Sequence, residues 1–236
     1  MTAHRRASRR DLLKAGTAAL AVLLTAAGCG RSGPDRGRPP VSLKSLPVPG
    51  VRAEATLVEA LRSRRSVRAF ADTPLTSAEL GELLWAAQGI THDEVRRTAP
   101  SAGALYPLEV YALRPGEAWH YVPQGHQVEV WSSSTAWPQL VAATVSHDAV
   151  RAAPAALVIT ALAGRTARKY GGDAGRYVAM EAGHAAQNVL LQAIGLRLGA
   201  VPLGALDHDA VAGALGLADG ETAYYVIPVG HPAGSA

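Results

Sequence analysis

Arg64-Arg65-Ser66-Val67-Arg68 places three guanidiniums and a hydroxyl within five residues. Arginine forks match phosphate oxygens, so the cluster suits an anionic ligand. It also suits a solvated helix end, where cations favour the C-terminal dipole. Ala99-Pro100-Ser101-Ala102-Gly103 is a run of small residues whose backbone could approach a flat ligand closely. Lys169-Tyr170, followed by Gly171-Gly172, offers an acid–base pair in what reads as a polar loop. Ser101 can also be read as the nucleophile of an altered G-x-S-x-G elbow, with Ala99 in place of the first glycine. Asp173 with His184, or Asp207 with His208, would then complete a triad. A strand pattern follows Ser101 where that elbow needs a helix. Glu181/His184 and Glu117/His120 repeat an E-x-x-H spacing, which di-iron bundles use on two helices. Glu117 lies beside the Pro115-Gly116 turn, so the second pair is not presented on a helix. His184 then reads as a core or capping histidine.

The elements that must hold these groups follow from period and punctuation. Thr56 caps a helix over Leu57–Arg65 with Leu57, Val58 and Leu61 on one face. Pro74-Leu75-Thr76-Ser77 opens a second helix that closes at Gly89, with Leu80, Leu84 and Trp85 on its inner face. Pro107–Arg114 alternates as a strand, and Ala118–Val122 returns as its hairpin partner. Residues 123–138 read as a loop. Ala155–Ala163 suits a buried strand. Arg176–Leu198 is the longest helix, with Ala179/Gly183 and Ala182/Ala186 at spacings that allow close helix approach. Asp207 caps a helix to Leu215, and Thr222–Val229 is a last strand. The fold class is α+β, a central sheet surrounded by helices.

Composition bounds the function. The 236 residues are 48% hydrophobic and 18% charged, an ordinary globular balance. The net charge of +4 belongs to the first 28 residues, which hold Arg5, Arg6, Arg9, Arg10 and Lys14 against Asp11. The rest carries 18 basic and 18 acidic residues. A nucleic-acid partner therefore lacks its main electrostatic argument. Cys29 is the only cysteine, which excludes an intramolecular disulfide and a cysteine-rich zinc site.

Ser8-Arg9-Arg10-Asp11-Leu12-Leu13-Lys14 is a twin-arginine pattern, and the apolar run Ala15–Gly28 is 14 residues long. That is too short to span a ~30 Å hydrocarbon core. Residues 1–28 thus read as an export signal. Ala26-Ala27-Gly28-Cys29 resembles a lipobox, although such motifs usually carry leucine where Ala26 stands. Cys29 would then be the lipidated first residue, and that anchor the sole link to a membrane. The twin-arginine route carries folded proteins, often with a cofactor already inserted. Residues 29–50, rich in Pro and Gly, read as a linker, and 51–236 as one folded domain.

In order along the chain, several motifs resemble the FMN-dependent nitroreductases. Arg64-Arg65-Ser66-Val67-Arg68-Ala69-Phe70 is similar to that family's opening signature, and Leu83–Thr91 to the helix that follows. Arg97–Tyr111 resembles the SagB-type dehydrogenase branch, which includes oxidases of peptide azolines. Lys169-Tyr170-Gly171, Glu181–Asn188, Val201–Ala205 and Ile227–Pro232 continue the match. The resemblance implies a homodimer with FMN in the subunit interface. Arg64, Arg65, Ser66 and Arg68 would bind the phosphate. Pro100, Ser101, Ala102 and Gly103 would line the site from the partner subunit. Leu203, Gly204 and Ala205 would offer backbone amides to the flavin edge. Lys169 and Tyr170 occupy the motif thought to deprotonate substrate in azoline oxidases. The basic C-terminal segment of many nitroreductases is not matched, since the sequence stops soon after His231.

The expected function is therefore FMN-dependent hydride transfer to or from a small organic or peptide-derived substrate. NAD(P)H is scarce outside the cytoplasm, so an NAD(P)H-driven nitro or quinone reductase is the alternative reading. An exported serine hydrolase using Ser101 and a non-enzymatic binding lipoprotein are readings of other classes. A hydrolase would purify without flavin, and a binding protein would show no turnover.

Overall fold

The computed structural model describes residues 41–50, 55–93 and 95–234. The export signal, Cys29 and the linker up to residue 40 lie outside the described residues. The chain divides into two units, 1–32 and 33–236, and everything described belongs to the second.

Strand β1 (Ser42–Ser45) comes first, followed by helices α1 (Leu57–Ser63) and α2 (Ser77–Gln88). Both helices start on a capping box of the pattern T-x-x-E. The Glu59 N–H donates to Thr56 Oγ1 at 3.3 Å while the Thr56 N–H donates to Glu59 Oε2 at 2.7 Å. Thr76 and Glu79 repeat the arrangement. A short hairpin, β2 (Ile90–His92) and β3 (Arg96–Arg97), and a 3-10 turn at Ala102–Ala104 lead to β4 (Leu108–Arg114). Strands β5 (Gly116–Val122) and β6 (Gln127–Ser133) complete a meander. Helices α3 (Ala136–Ala142) and α4 (His147–Ala152), strand β7 (Ala155–Leu162), helices α5 (Gly164–Tyr170) and α6 (Ala174–Gly195) follow. Strand β8 (Gly199–Ala200), helix α7 (His208–Leu215) and strand β9 (Glu221–Gly230) close the domain.

The seven strands run β1-β6-β5-β4-β7-β9-β8, and every adjacent pair is antiparallel. Successive side chains of a strand face opposite sides, so β4 and β7 feed two cores. Leu108, Val110, Leu157 and Ile159 pack with Leu83, Val178 and Val189 of α2 and α6. Tyr111, Leu113, Ala156 and Val158 pack with Leu140, Val211 and Leu215 of α3 and α7. Each fully buried leucine or isoleucine contributes roughly 1.5–3 kcal/mol. No helix among the described residues is long and apolar enough to cross a membrane.

Three sequence expectations need correction. Residues 123–138 are not a loop: Gly125 and His126 turn the chain with positive φ, and Gln127–Ser133 pairs with β5. Polar residues hid this strand, because Glu129 finds His120 on β5 and Gln127 finds Ser45 on β1. Lys169-Tyr170 is not in a loop but in the last turn of α5, which Gly171 ends at φ 53°. The folded unit also begins before residue 51, since Ser42–Ser45 of the expected linker is the sheet's edge strand.

Candidate functional site

The residues singled out in the sequence gather in two places, one beyond each end of α6. At the C-terminal end, α1 stops at Ser63 and the cationic segment runs alongside β8. The Val67 N–H donates to the Ala200 carbonyl at 3.1 Å, and Ser66 bridges Ala200 in parallel register. This approach needs Gly199: a Cβ there would stand 2.6 Å from the Val67 side chain. Arg65, Ser66 and Arg68 are exposed and Arg64 is half-buried. Among the described residues, none of the three guanidiniums has a carboxylate partner.

Three residues beyond Ala200 lies Leu203. Its backbone is tied to Val226 by reciprocal bonds of 2.8 and 3.0 Å, and its side chain is buried. Gly204 and Ala205 are exposed. The Ala205 carbonyl accepts from Val145 at 3.3 Å, while the N–H groups of Gly204 and Ala205 find no acceptor among the described residues. Backbone donors and guanidiniums of this kind are each suited to an anionic group.

At the N-terminal end, the Ser101–Gly103 loop meets Lys169 and Tyr170. A Cβ built on Gly103 would lie 3.0 Å from both Lys169 Nζ and Tyr170 Oη. The Tyr170 ring meets Tyr177 edge-on at 4.9 Å. Gly103, Ala104 and Tyr106 have φ of 62°, 54° and 45°. The last two are in a region that side chains disfavour, at a cost on the order of 1–3 kcal/mol each. The loop is braced from inside. The Tyr106 N–H donates to Ser101 Oγ at 2.9 Å, and Arg165 Nη1 donates to the Tyr106 carbonyl at 3.1 Å. The Arg97 guanidinium lies 4.7 Å from the centre of the Tyr106 ring. Pro100 is exposed at the start of this loop, and Ala102 is half-buried.

The brace continues into the sheet. Arg165 pairs with Glu109 at 2.5 Å. Glu109 also takes His120 Nε2 at 2.8 Å, and His120 Nδ1 faces Glu129 at 3.2 Å. Burial opposes charge on His120, but the two carboxylates outweigh it and raise its pKa to about 8. None of this chain was read from the sequence. Recognition of β6 would have revealed it, because the register sets Glu129 opposite His120.

Other readings lose their geometry. Ser101 has no histidine partner among the described residues. His184 is exposed, and neither a core nor a capping residue. Asp207 caps α7 through the Ala210 N–H, and His208 Nδ1 faces the Ala223 carbonyl. A serine triad is thus not assembled. Glu117 pairs with Arg114, and no cluster among the described residues suits a metal ion. Trp85 is half-buried rather than core and lines a cavity of about 240 Å³ with Leu57, Ala60, Thr98 and Leu191. That cavity contains none of the expected site residues; it lies between α1, α2 and α6.

The pattern of the nitroreductase family matches residues 61–231. A candidate nitroreductase of Methanocaldococcus jannaschii is 40% identical over 159 residues, which is 64% of this chain and 80% of that protein. The crystal structure of a candidate nitroreductase from Ralstonia eutropha JMP134 superposes with a TM-score of 0.72 at 29% identity, covering 84% of this chain and 95% of that one. Another, from Desulfovibrio desulfuricans and crystallised in complex with FMN, gives a TM-score of 0.58 at 25% identity, over 78% of this chain and 91% of that one. With the match running from α1 to beyond β9, the chain belongs to the nitroreductase family and is an oxidoreductase.

Proposed function

We propose that this oxidoreductase binds FMN and belongs to the SagB-type dehydrogenase branch, acting on a small organic or peptide-derived substrate. The observation that carries the reading is the content of the two clusters. One offers unpaired guanidiniums and free amides and lacks an acid–base group. The other offers Lys169 and Tyr170 on a braced loop. FMN, when bound, supplies a hydride acceptor or donor at N5. Arg64, Arg65, Ser66 and Arg68 would hold its phosphate. The Gly204 and Ala205 amides would orient the ring edge. Lys169 Nζ or Tyr170 Oη would take or return the substrate proton. The loop of Pro100, Ser101, Ala102 and Gly103 would close the site.

The two clusters lie toward opposite ends of α6, whose 22 residues span about 33 Å. Two chains paired about a two-fold axis would let them complete each other. An exposed apolar face supports such a homodimer. Leu57 is 65%, Leu61 55% and Met180 54% exposed, on α1 and α6. Of the two small-residue pairs on α6, Ala182/Ala186 is buried in the core. Ala179 is exposed and Gly183 half-buried, available to a partner. A second reading, an NAD(P)H-dependent nitro or quinone reductase, is favoured by the naming of the relatives.

The test is to reduce the flavin-loaded protein anaerobically with candidate substrates and with NAD(P)H. Lys169→Met should retain flavin and slow reduction by ~10²–10⁴. An unchanged rate removes the pair from the chemistry. Reduction by NAD(P)H alone at high rate favours the second reading. We also propose export by the twin-arginine route and lipidation at Cys29. Cys29→Ala should move the protein from the membrane to the soluble fraction, and a membrane-bound variant refutes lipidation.

A further inference from the structure

His120 stands between two carboxylates, one from each neighbouring strand. Its Nε2 faces Glu109 Oε2 of β4 at 2.8 Å, and its Nδ1 faces Glu129 Oε2 of β6 at 3.2 Å. The Tyr111 ring of β4 stacks on the imidazole at 4.7 Å, and the Tyr111 hydroxyl donates to Glu221 Oε1 at 2.9 Å, which fixes that wall. A neutral imidazole has one N–H and one lone pair, so it donates to one ionised carboxylate and repels the other. Acceptors at both nitrogens therefore select the doubly protonated ring.

Glu109 uses its oxygens separately, Oε2 on His120 and Oε1 on Arg165 of α5. Arg165 divides its fork likewise, with Nη2 on Glu109 and Nη1 donating to the Tyr106 carbonyl at 3.1 Å. A guanidinium is planar, so pinning one arm aims the other. Tyr106 is held at φ 45°, and its N–H closes the loop on Ser101 Oγ at 2.9 Å. Arg97 of β3 lies on the Tyr106 ring and is the further cation that acts on Glu109. Helix α5 carries Arg165 in its first turn and Lys169 four residues on, along one face. We propose that His120 is a positioning residue for the candidate site: through Glu109 and Arg165 it fixes the Tyr106 carbonyl and the face of α5 that brings Lys169 to Gly103. This rests on the reading of the Ser101–Gly103 loop as part of a flavin site.

The test compares variants of the purified full chain at about pH 6.5. His120→Leu removes the donor to Glu109, whereas His120→Gln keeps an amide N–H for it without the charge. The first arm reads hydrogen exchange of the Tyr106 amide by NMR in the flavin-free protein. Exchange should speed up ~10-fold in His120→Leu, the scale of one hydrogen bond, and return toward wild type in His120→Gln. Strand β7, paired on both sides, reports global loosening. An equal rise in the β7 amides, or an unchanged Tyr106 amide, overturns the proposal. Arg165→Ala, at a half-buried position, cuts the same path and should match His120→Leu, so the test does not depend on the folding of one variant. The double variant should exchange no faster than Arg165→Ala alone, and additive effects overturn the proposal. The second arm measures FMN affinity by flavin fluorescence. A ~2–10-fold loss in His120→Leu, recovered in His120→Gln, is expected. A loosened loop with FMN affinity unchanged would leave His120 without bearing on the site and overturns the proposal. If wild type itself binds no FMN, the flavin reading falls, and the Tyr106 amide still decides whether His120 holds the loop.

Discussion

Beyond the C-terminal end of α6, Arg65, Ser66 and Arg68 are exposed, and among the described residues the guanidiniums of Arg64, Arg65 and Arg68 have no carboxylate partner. At the N-terminal end, the Ser101–Tyr106 loop carries positive φ at Ala104 and Tyr106, and Tyr106 is tied to Ser101 and Arg165. The first region presents its cations to solvent. The second is shaped in advance by Arg165, Glu109, His120 and Glu129. Exposed guanidiniums keep their hydration until an anion arrives, so they cost the free protein little. A loop with two non-glycine residues at positive φ persists only where the surroundings over-determine it. One end of α6 thus offers open polar groups, while the other is braced from within.

The comparison can be broken at the binding end first. Arg64→Ala with Arg68→Ala should weaken FMN binding by ~10²–10⁴, from about 1.5–3 kcal/mol per charge-assisted contact. The Ser101 loop should be unaffected, as read by an unchanged unfolding temperature of the flavin-free protein. A variant that purifies fully yellow would show that the cluster is not the phosphate site.

Joining the two ends is the next expectation. Gly183 has open space beside its Cα in the single chain, so Gly183→Arg fits the monomer. In an apolar two-fold interface it would leave a buried, unpaired charge and weaken the dimer ~100-fold or more. Light scattering across a dilution series reads this directly. A dimer of unchanged affinity would place the interface elsewhere.

The smallest effect belongs to the braced end. His120 has its pKa raised from 6.5 to about 8. A raised folded-state value stabilises fully below the unfolded value near 6.5, and the contribution is lost as pH rises through about 8. The shift corresponds to about 2 kcal/mol. Unfolding free energy should therefore decline by that order across this window in wild type. In His120→Gln this part of the decline should be absent. Identical pH profiles for the two proteins would mean that His120 carries no charge in the brace.

Local chemistry made much of the molecule legible in sequence. Thr56 and Thr76 with their glutamates announced two helices, because a capping box satisfies its donors within four residues. The apolar run Ala155–Ala163 announced a buried strand. None of these depends on a distant partner. Strand β6 was not legible, because its polar residues make sense only once Glu129 meets His120 across the sheet. The same holds for the props of the Ser101 loop. Arg165 is 59 residues from Tyr106 in the chain. Helix and strand periods report which face is apolar, but not which buried polar group another will find. Composition and period sufficed for most of the helices and for strands β4, β5, β7 and β9. Only the tertiary structure decided that Lys169 and Tyr170 stand against Gly103, and that Ser66 and Val67 lie along Ala200, because such juxtapositions are set by packing of segments remote in sequence.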